Sequence, residues 1–381
     1  MAVKYKKPDM VLLFLIFLLL AVGLIMVFSS STGIALAITK KHPNPYYFLE
    51  RQIIWVILGF AGLLAAYHLD LNLIKKYIPW LYMTCIGMLL LVLVPGIGMD
   101  VSGARRWFHF SFVNLQPAEF SKVVLILFIS WFITRKGGLS TSLWKTIFPL
   151  LVSILPLIYL VYKEPDFGTA FLMFTTALGT VFISGIQLKD MALLSSVSLP
   201  AGIFYMLKAK YRLKRLQGFF NPWKHPYTSG YHIIQSLIAV GSGGWFGVGL
   251  GDSRQKFFYL PDQHTDYIFA ILGEEGGILA TLFVLLLFLF VAARGLNIAL
   301  KQTDPFKRIL AAGLTISIVS QALINMAMVI HLLPPVGIPL PFLSYGGSSL
   351  MTCLIMIGLL LNLSRIPIPK KTEATTSLES I

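Results

Sequence analysis

Long apolar segments recur along the whole chain, and they restrict its fold more than any other feature. Ten of them approach the length of about 20 residues that an α-helix needs to cross a lipid bilayer. Only 12% of the residues are charged, about half the share found in a soluble domain. The segments are residues 10–33, 52–69, 77–96, 117–135, 145–162, 167–186, 190–207, 267–294, 307–330 and 347–364.

These segments predict an all-α polytopic membrane protein with about ten transmembrane helices. The first segment follows three lysines, as a signal peptide would, but it is too long for one and further spans follow it. We therefore interpret residues 1–366 as a single transmembrane domain. Residues 367–381 are polar and are predicted to form a short, disordered cytoplasmic tail.

The positions of the Lys and Arg residues predict the orientation of these helices. With the N-terminus inside, the cytoplasmic loops carry 16 of the 31 basic residues, and 8 of the other 15 lie between Lys208 and Lys256. Long loops cross the membrane largely regardless of charge, so setting that stretch aside leaves 16 inside and 7 outside. The prediction is that both termini face the cytoplasm.

A hydrophilic stretch at residues 208–266, between the seventh and eighth predicted helices, is the longest interruption and is predicted to be extracytoplasmic. It begins with a basic cluster that includes Lys214 and Arg215. An anionic ligand and anionic lipid headgroups explain this cluster equally well. Its glycine-rich run, residues 241–251, lacks the strand–turn–helix context of a nucleotide loop, so we expect it to pack closely against the membrane surface or a ligand.

Charged residues close to the outer ends of several predicted helices are candidates for chemistry, because charge in a membrane is costly. Arg105 and Arg106 precede the fourth predicted helix, and Glu119 and Lys122 share a face of it. These cations suit phosphate oxygens, but an interfacial Arg–Trp anchor and a structural Glu–Lys pair are slightly favoured. Asp166 follows the fifth helix, where a helix-capping role is favoured over a catalytic one.

Acidic groups surround the start of the eighth predicted helix. Asp266 fits either a helix cap or a general base that accepts a proton from a sugar hydroxyl. His264 lies two residues before it, whereas Glu274 and Glu275 lie deeper in the same helix and need partners there. A structural ion pair is the alternative for the two glutamates.

A proline-rich segment at residues 333–342 precedes the last predicted helix. Four prolines in eight residues exclude a regular helix. Irregular backbone at membrane depth requires protein or a water-filled cavity around it. We predict a re-entrant outer segment that lines a cavity, with Ser344 beside it as a donor; a stiff loop is the alternative.

Together these motifs resemble those of the SEDS family (shape, elongation, division and sporulation), which includes FtsW, RodA and SpoVE. The resemblance covers roughly residues 10–366, and the run Phe220–Trp223 is more similar to the FtsW and SpoVE branch. The matching segments are Gly103–Trp107, Gln116–Lys122, Pro165–Thr169, Gly230–Asp252, Leu260–Gly276 and Pro339–Ser349.

The resemblance implies a ten-helix peptidoglycan glycosyltransferase that polymerises lipid II, and it carries the family's catalytic aspartate onto Asp266. That carboxylate would deprotonate the 4-hydroxyl of an acceptor, which attacks the anomeric carbon of the donor with inversion and releases undecaprenyl pyrophosphate. No metal ligand is predicted, and assistance from a divalent cation, Mg²⁺ or Mn²⁺, is left open. The predicted substrate-binding residues are Arg105, Arg106, Glu119, Lys122, Lys214, Arg215, His264, Glu275 and Ser344.

The resemblance also implies partners and a location. A class B penicillin-binding protein (a transpeptidase) and other division proteins are expected partners, and nucleic acid is not. The expected location is the bacterial cytoplasmic (inner) membrane at the division septum, with a vegetative or a sporulation role. The alternatives are a lipid II flippase, which such charges and a proline-broken segment also suit, and a division scaffold without catalytic activity.

Overall fold

The computed structural model describes residues 7–39, 42–101, 104–110, 113–135, 148–187, 189–190, 192–193, 196, 210–257 and 259–365. The helices, in chain order, are α1 (Met10–Ile38), α2 (Tyr47–His68), α3 (Leu71–Leu93), α4 (Pro117–Arg135), α5 (Phe148–Lys163), α6 (Phe167–Ile183), α7 (Lys210–Phe220), α8 (Tyr231–Ser242), α9 (Ile268–Leu300), α10 (Pro305–Val329) and α11 (Gly347–Ser364). Three strands, β1 (Met99–Val101), β2 (Ala104–Phe110) and β3 (Val113–Leu115), lie between α3 and α4.

Membrane-spanning helices dominate the described part of the chain, as predicted. Seven of these helices are long and apolar enough to cross a bilayer: α1, α2, α3, α4, α9, α10 and α11. The apolar helices α5 and α6 are shorter, and both coincide with predicted spans. Most of the predicted span 190–207, like the predicted tail 367–381, lies outside the described residues, so the total of ten remains a prediction.

The prediction of an all-α chain is wrong at residues 99–115. The strands β1, β2 and β3 form a small antiparallel sheet in that order, with Met99 opposite Trp107 and Phe108 opposite Leu115. Aromatic and β-branched residues are frequent in this segment, and such residues favour strands. The sheet lies next to the start of α4.

Aspartates define where several helices begin. The Asp9 carboxylate accepts a hydrogen bond from Leu12 N at 3.0 Å at the start of α1, and Asp70 and Asp304 cap α3 and α10 in the same way. Each carboxylate satisfies an amide that has no partner within its helix.

The two ends of the described chain lie on the same side of the molecule. Asp9 N donates to Ser364 Oγ at 3.0 Å, and Arg294 Nη2 lies 2.6 Å from the Asp9 carboxylate. The start of α1 and the end of α11 are therefore neighbours, as the predicted topology requires. That this side is cytoplasmic stays a prediction from the Lys and Arg distribution.

The predicted outer loop contains two helices, α7 and α8, and its glycine-rich run packs against α9. At Gly277 the backbone of α9 leaves the helical region, with φ of 68°. A Cβ on Gly277 would lie only 2.5 Å from Gly247 N and Trp245 O. The backbone of α9 is thus a close neighbour of the glycine-rich run, and the contact with a ligand or the membrane surface stays a prediction.

Candidate active site

A cavity of about 540 Å³ opens at the end of the molecule opposite Asp9 and Ser364. Its walls come from the β-sheet, the N-terminal ends of α2, α4 and α6, the segment before α9, and the proline-rich segment before α11. The polar and charged lining residues are Arg51, Arg106, His109, Asn114, Gln116, Glu119, Asp166, Thr169, Thr265, Asp266, Tyr345 and Ser349.

Asp266 lies on this cavity, two residues before α9. Its backbone is held from two directions, because Asn325 Nδ2 donates to Asp266 O at 2.8 Å and the Ser344 hydroxyl donates to Thr265 O. Asn325 also donates to Ile338 O at 2.8 Å, which ties the proline-rich segment to the same point. The carboxylate therefore projects from a fixed backbone and remains partly accessible from the cavity.

The surroundings of Asp266 suit a proton acceptor. Burial raises the pKa of its carboxyl to about 7; the negative charges of Asp262 and Asp166 also raise it, while Arg215 and Arg106 lower it. A general base works best when its pKa lies close to the working pH. Asp266 can thus hold or release a proton near neutrality.

Two backbone carbonyls hold Arg106 at the cavity. Its Nε donates to Glu164 O at 2.9 Å and its Nη2 donates to Pro165 O at 2.6 Å. Both acceptors are neutral backbone carbonyls, so they orient the guanidinium without neutralising it. Burial raises the pKa of the nearby Glu164 carboxyl to about 9, with Asp166 adding to the effect, which keeps that side chain uncharged at neutral pH.

Asp166 has the capping role that was favoured for it and also lines the cavity. One carboxylate oxygen accepts from Thr169 N at 3.1 Å, and the other accepts from Thr169 Oγ1 at 3.0 Å and Gln116 Nε2 at 2.9 Å. This network joins the start of α6 to the start of α4.

A buried ion pair supports the wall formed by α4. Lys122 Nζ lies 2.6 Å from the Glu119 carboxylate and donates to Gln321 Oε1 at 2.9 Å. Gln321 in turn donates to Pro339 O at 2.9 Å. The pair joins α4 to α10 and, through Gln321, to the proline-rich segment.

Residues 10–367 match the model of a protein family described as cell cycle protein, which covers FtsW, RodA and SpoVE. The chain belongs to this family. This result confirms the resemblance that the sequence motifs suggested, over nearly the same residues.

Curated members of the FtsW, RodA and SpoVE family align with almost the whole chain. The stage V sporulation protein E of Bacillus subtilis is 39% identical over 96% of this chain and 99% of its own length. A probable peptidoglycan glycosyltransferase FtsW from Geobacter sp. is 38% identical over 93% of this chain and 96% of its own length.

Solved structures share the fold. A chain from a peptidoglycan synthase complex, in a study of how polymerisation and crosslinking are coordinated, superposes with a TM-score of 0.77 at 26% identity. It covers 94% of this chain and 97% of its own length. RodA of Thermus thermophilus superposes with a TM-score of 0.68 at 25% identity, over 94% of this chain and 96% of its own length.

Within this family fold, the predicted basic residues lie in four different environments. Arg106 reaches the cavity, whereas Arg105, on the opposite face of β2, lies 3.5 Å from the Asp100 carboxylate. Lys122 is buried in its ion pair behind the lining. Lys214 and Arg215 are exposed on α7 outside the lining, although the charge of Arg215 acts on Asp266.

The remaining predicted substrate-binding residues have different positions. Glu119 lines the cavity, but His264 packs behind it against Phe48, with ring centroids 4.7 Å apart. Burial holds the pKa of His264 below its usual value.

Ser344 and Glu275 are both buried. The Ser344 hydroxyl bonds backbone atoms, and Glu275 lies away from the lining, where it accepts a hydrogen bond from Ser29 Oγ at 2.7 Å. The ion-pair alternative for Glu275 is what the structure shows, since Lys256 Nζ lies 3.3 Å away.

Sequence reasoning missed Arg51 and Asn325. Arg51 lies in the first turns of α2, stacks on Tyr47 at 4.3 Å from the ring centroid, and lines the cavity. A cation near the outer end of a predicted span was a usable signal for it. No comparable signal marked Asn325, because its importance depends on contacts with Asp266 and Ile338.

Proposed function

We propose that the chain is a peptidoglycan glycosyltransferase that polymerises lipid II in the outer leaflet. The observation that carries the proposal is the Asp266 carboxylate, which faces a polar outer cavity beside the oriented guanidinium of Arg106. Membership of the family, which includes relatives described as probable peptidoglycan glycosyltransferases, supports the reaction type.

In this proposal Asp266 is the general base. Its carboxylate removes the proton from the 4-hydroxyl of an acceptor saccharide, and that oxygen forms a bond to the anomeric carbon of the donor. The bond from the anomeric carbon to the pyrophosphate oxygen breaks, and the electron pair leaves with undecaprenyl pyrophosphate. One base and direct displacement give inversion at the anomeric carbon.

Arg106 and Arg51 stabilise the charge that develops on the departing pyrophosphate. Both line the cavity, and a guanidinium pairs well with phosphate oxygens. Because Arg106 is oriented before the reaction by two carbonyls, little reorganisation is needed when charge develops. Lys122, Ser344 and Asn325 support the walls, and Arg215 contributes charge from α7.

A divalent cation, Mg²⁺ or Mn²⁺, would add to the positive charge that the two arginines supply to the pyrophosphate. Within the described residues, no three His, Cys, Asp or Glu side chains are grouped to hold a metal ion. Mg²⁺ can be held by one or two carboxylates together with substrate phosphates, so a divalent ion would arrive with the substrate.

We further propose that the protein acts at the division or sporulation septum of a bacterial cytoplasmic membrane. A class B penicillin-binding protein and other division proteins are the proposed partners. The structural similarity to a chain of a peptidoglycan synthase complex supports a paired transpeptidase.

The experiment that tests this function separates polymerisation from transport. The full-length protein and its transpeptidase partner are reconstituted in liposomes with fluorescent lipid II, and glycan strands and lipid II translocation are measured in the same vesicles. We expect glycan strands of many disaccharides, and we expect lipid II to cross the bilayer no faster than in liposomes without protein. Faster translocation without strands would favour a flippase, and neither activity would favour a scaffold.

A further inference from the structure

Residues 231–257 form a re-entrant hairpin beside the first turns of α9. At its start, the His232 ring stacks on Tyr267 with centroids 5.7 Å apart. At the end of α8, Gly243 is so close to α9 that a Cβ on it would lie 1.9 Å from Gly273 O. Helix α8 therefore runs alongside α9 in the same direction, from the cavity end towards the middle of the molecule.

The turn of this hairpin is fixed where α9 breaks at Gly277. Ile278 N donates to Gly244 O at 2.9 Å, and Leu279 N donates to Trp245 O at 3.3 Å. Residues 244–246 are thus the deepest part of the hairpin, level with residues 278–279 of α9.

The returning limb is held as firmly as the descending one. Val248 N donates to Glu274 O at 3.0 Å and Gly249 N donates to Glu275 O at 3.2 Å. Farther along, the buried Lys256 pairs with the Glu275 carboxylate. These bonds hold the limb against residues 274–275 of α9, which lie about one helical turn closer to the cavity end than residues 278–279.

The position of the turn along α9 places it at the outer edge of the hydrocarbon layer. At 1.5 Å per residue, the ten steps along the helix from Ile268 to Ile278 rise about 15 Å. The part of α9 beyond the turn, residues 279–300, is about 33 Å long on the same basis. That length matches the hydrocarbon core of a bilayer, which is about 30 Å thick.

The side chains at this turn are apolar and face outward. Trp245 is 66% exposed, Phe246 82% and Leu250 69%. Residues 231–251 contain no Lys, Arg, Asp or Glu. Aromatic residues, Trp above all, favour the boundary between headgroups and acyl chains, so the chemistry of the turn agrees with its depth.

We infer that Trp245, Phe246 and Leu250 insert into the outer leaflet and contact lipid at the headgroup–acyl boundary. This outer-leaflet wedge continues the lipid-facing surface of α9. It also connects to the active site, because Gln263 Nε2, three residues before Asp266, donates to Lys256 O at 2.6 Å. The wedge thus anchors the segment that carries Asp266 at a fixed height relative to the lipid headgroups.

The test places nitroxide labels on the full-length protein in phosphatidylcholine–phosphatidylglycerol liposomes. Cys85 and Cys353, both buried, are first replaced by Ala, and single cysteines are then introduced as Phe246→Cys and Leu250→Cys. Tyr227→Cys, at a residue that is 90% exposed between α7 and α8, is the aqueous control; Leu286→Cys, at an exposed residue of α9, is the hydrocarbon control. Spin relaxation is measured with dissolved oxygen and with a water-soluble nickel chelate.

The wedge predicts that labels at 246 and 250 respond to oxygen and are shielded from the nickel chelate, at a depth between those of 227 and 286. Relaxation by nickel at 246 and 250 equal to that at 227 would show a water-exposed loop and overturn the inference. Shielding from both reagents would also overturn it, since protein, such as a second copy of the chain, would then cover the turn.

Discussion

At the scale of single residues, Asp266 can act as the base only if its carboxyl group loses its proton near neutral pH. A base acts only when deprotonated, so the rate of glycan formation should rise with pH and level off above an apparent pKa of about 7. Asp262 raises that pKa through its negative charge, so Asp262→Asn should shift the profile to lower pH. Asn also tolerates the φ of 53° at this position.

Initial rates between pH 5.5 and 9 on the wild type and on Asp262→Asn measure this shift. A variant profile identical to that of the wild type would contradict the assignment of the profile to Asp266.

Glu164 provides a second prediction at this scale, about stability. Its side chain is fully buried, and neither carboxylate oxygen has a hydrogen-bond partner among the described residues. Because the folded state raises its pKa from 4.5 to about 9, the folded protein binds the proton more tightly than the unfolded chain does. The contribution of Glu164 to stability is therefore present below pH 4.5 and is lost as the pH rises towards 9.

Glu164→Gln removes this titration while keeping the shape of the neutral side chain. We expect the variant to unfold at a higher temperature than the wild type at pH 8, with a difference that shrinks towards pH 5. Glu50→Gln, at an exposed glutamate of α2, is the matched control and should show no such trend. A variant less stable than the wild type at pH 8 would indicate an ionised Glu164 and contradict the prediction.

At the scale of elements, hydrophobic segments predicted most of the described helices well. The bounds predicted for α4 and α11 agree with the structure, and the start of α4 at Pro117 has a local signal in the proline itself. The sheet at residues 99–115 was missed because two of its strands have only three residues. Such strands depend on pairing with one another, which apolar segment length does not report.

The break in α9 gives a prediction about an element. Gly277 has φ of 68°, and a side chain there would meet the backbone of the glycine-rich run. Gly277→Ala should destabilise the protein by about 1–3 kcal/mol, the usual cost of a strained backbone position. It should also loosen the hairpin formed by residues 231–257.

Thermal unfolding in detergent measures the first effect, and hydrogen exchange at residues 244–249 measures the second. Gly87→Ala in α3 is the matched control, because nothing lies within 4 Å of the added Cβ, and it should leave both unchanged or slightly raise stability. Equal behaviour of the two variants would contradict the close packing at Gly277.

At the scale of the whole molecule, the active site joins parts of the chain that are far apart in sequence. Asp266 and Arg106 were predicted because charges near a membrane are conspicuous. The Glu119–Lys122 pair and an ion pair for Glu275 were among the alternatives drawn from the sequence, and the structure contains both. That Lys122 and Glu275 lie away from the cavity was not predictable, since it follows from helix packing. Of the cavity walls, only the proline-rich segment was predicted to line a cavity. That prediction rested on its irregular backbone, which at membrane depth needs protein or a water-filled cavity around it.

Glycan synthesis by Asp266 variants shows whether Asp266 is the base of a lipid II polymerase. Purified wild type, Asp266→Asn and Asp262→Asn, each folded and bound to its transpeptidase partner, are given lipid II, and glycan strands are resolved by gel. The account predicts strands from the wild type and from Asp262→Asn, and a loss of at least about 100-fold in rate for Asp266→Asn, since general bases contribute 10²–10⁴-fold. Strands formed by Asp266→Asn at the wild-type rate would contradict it.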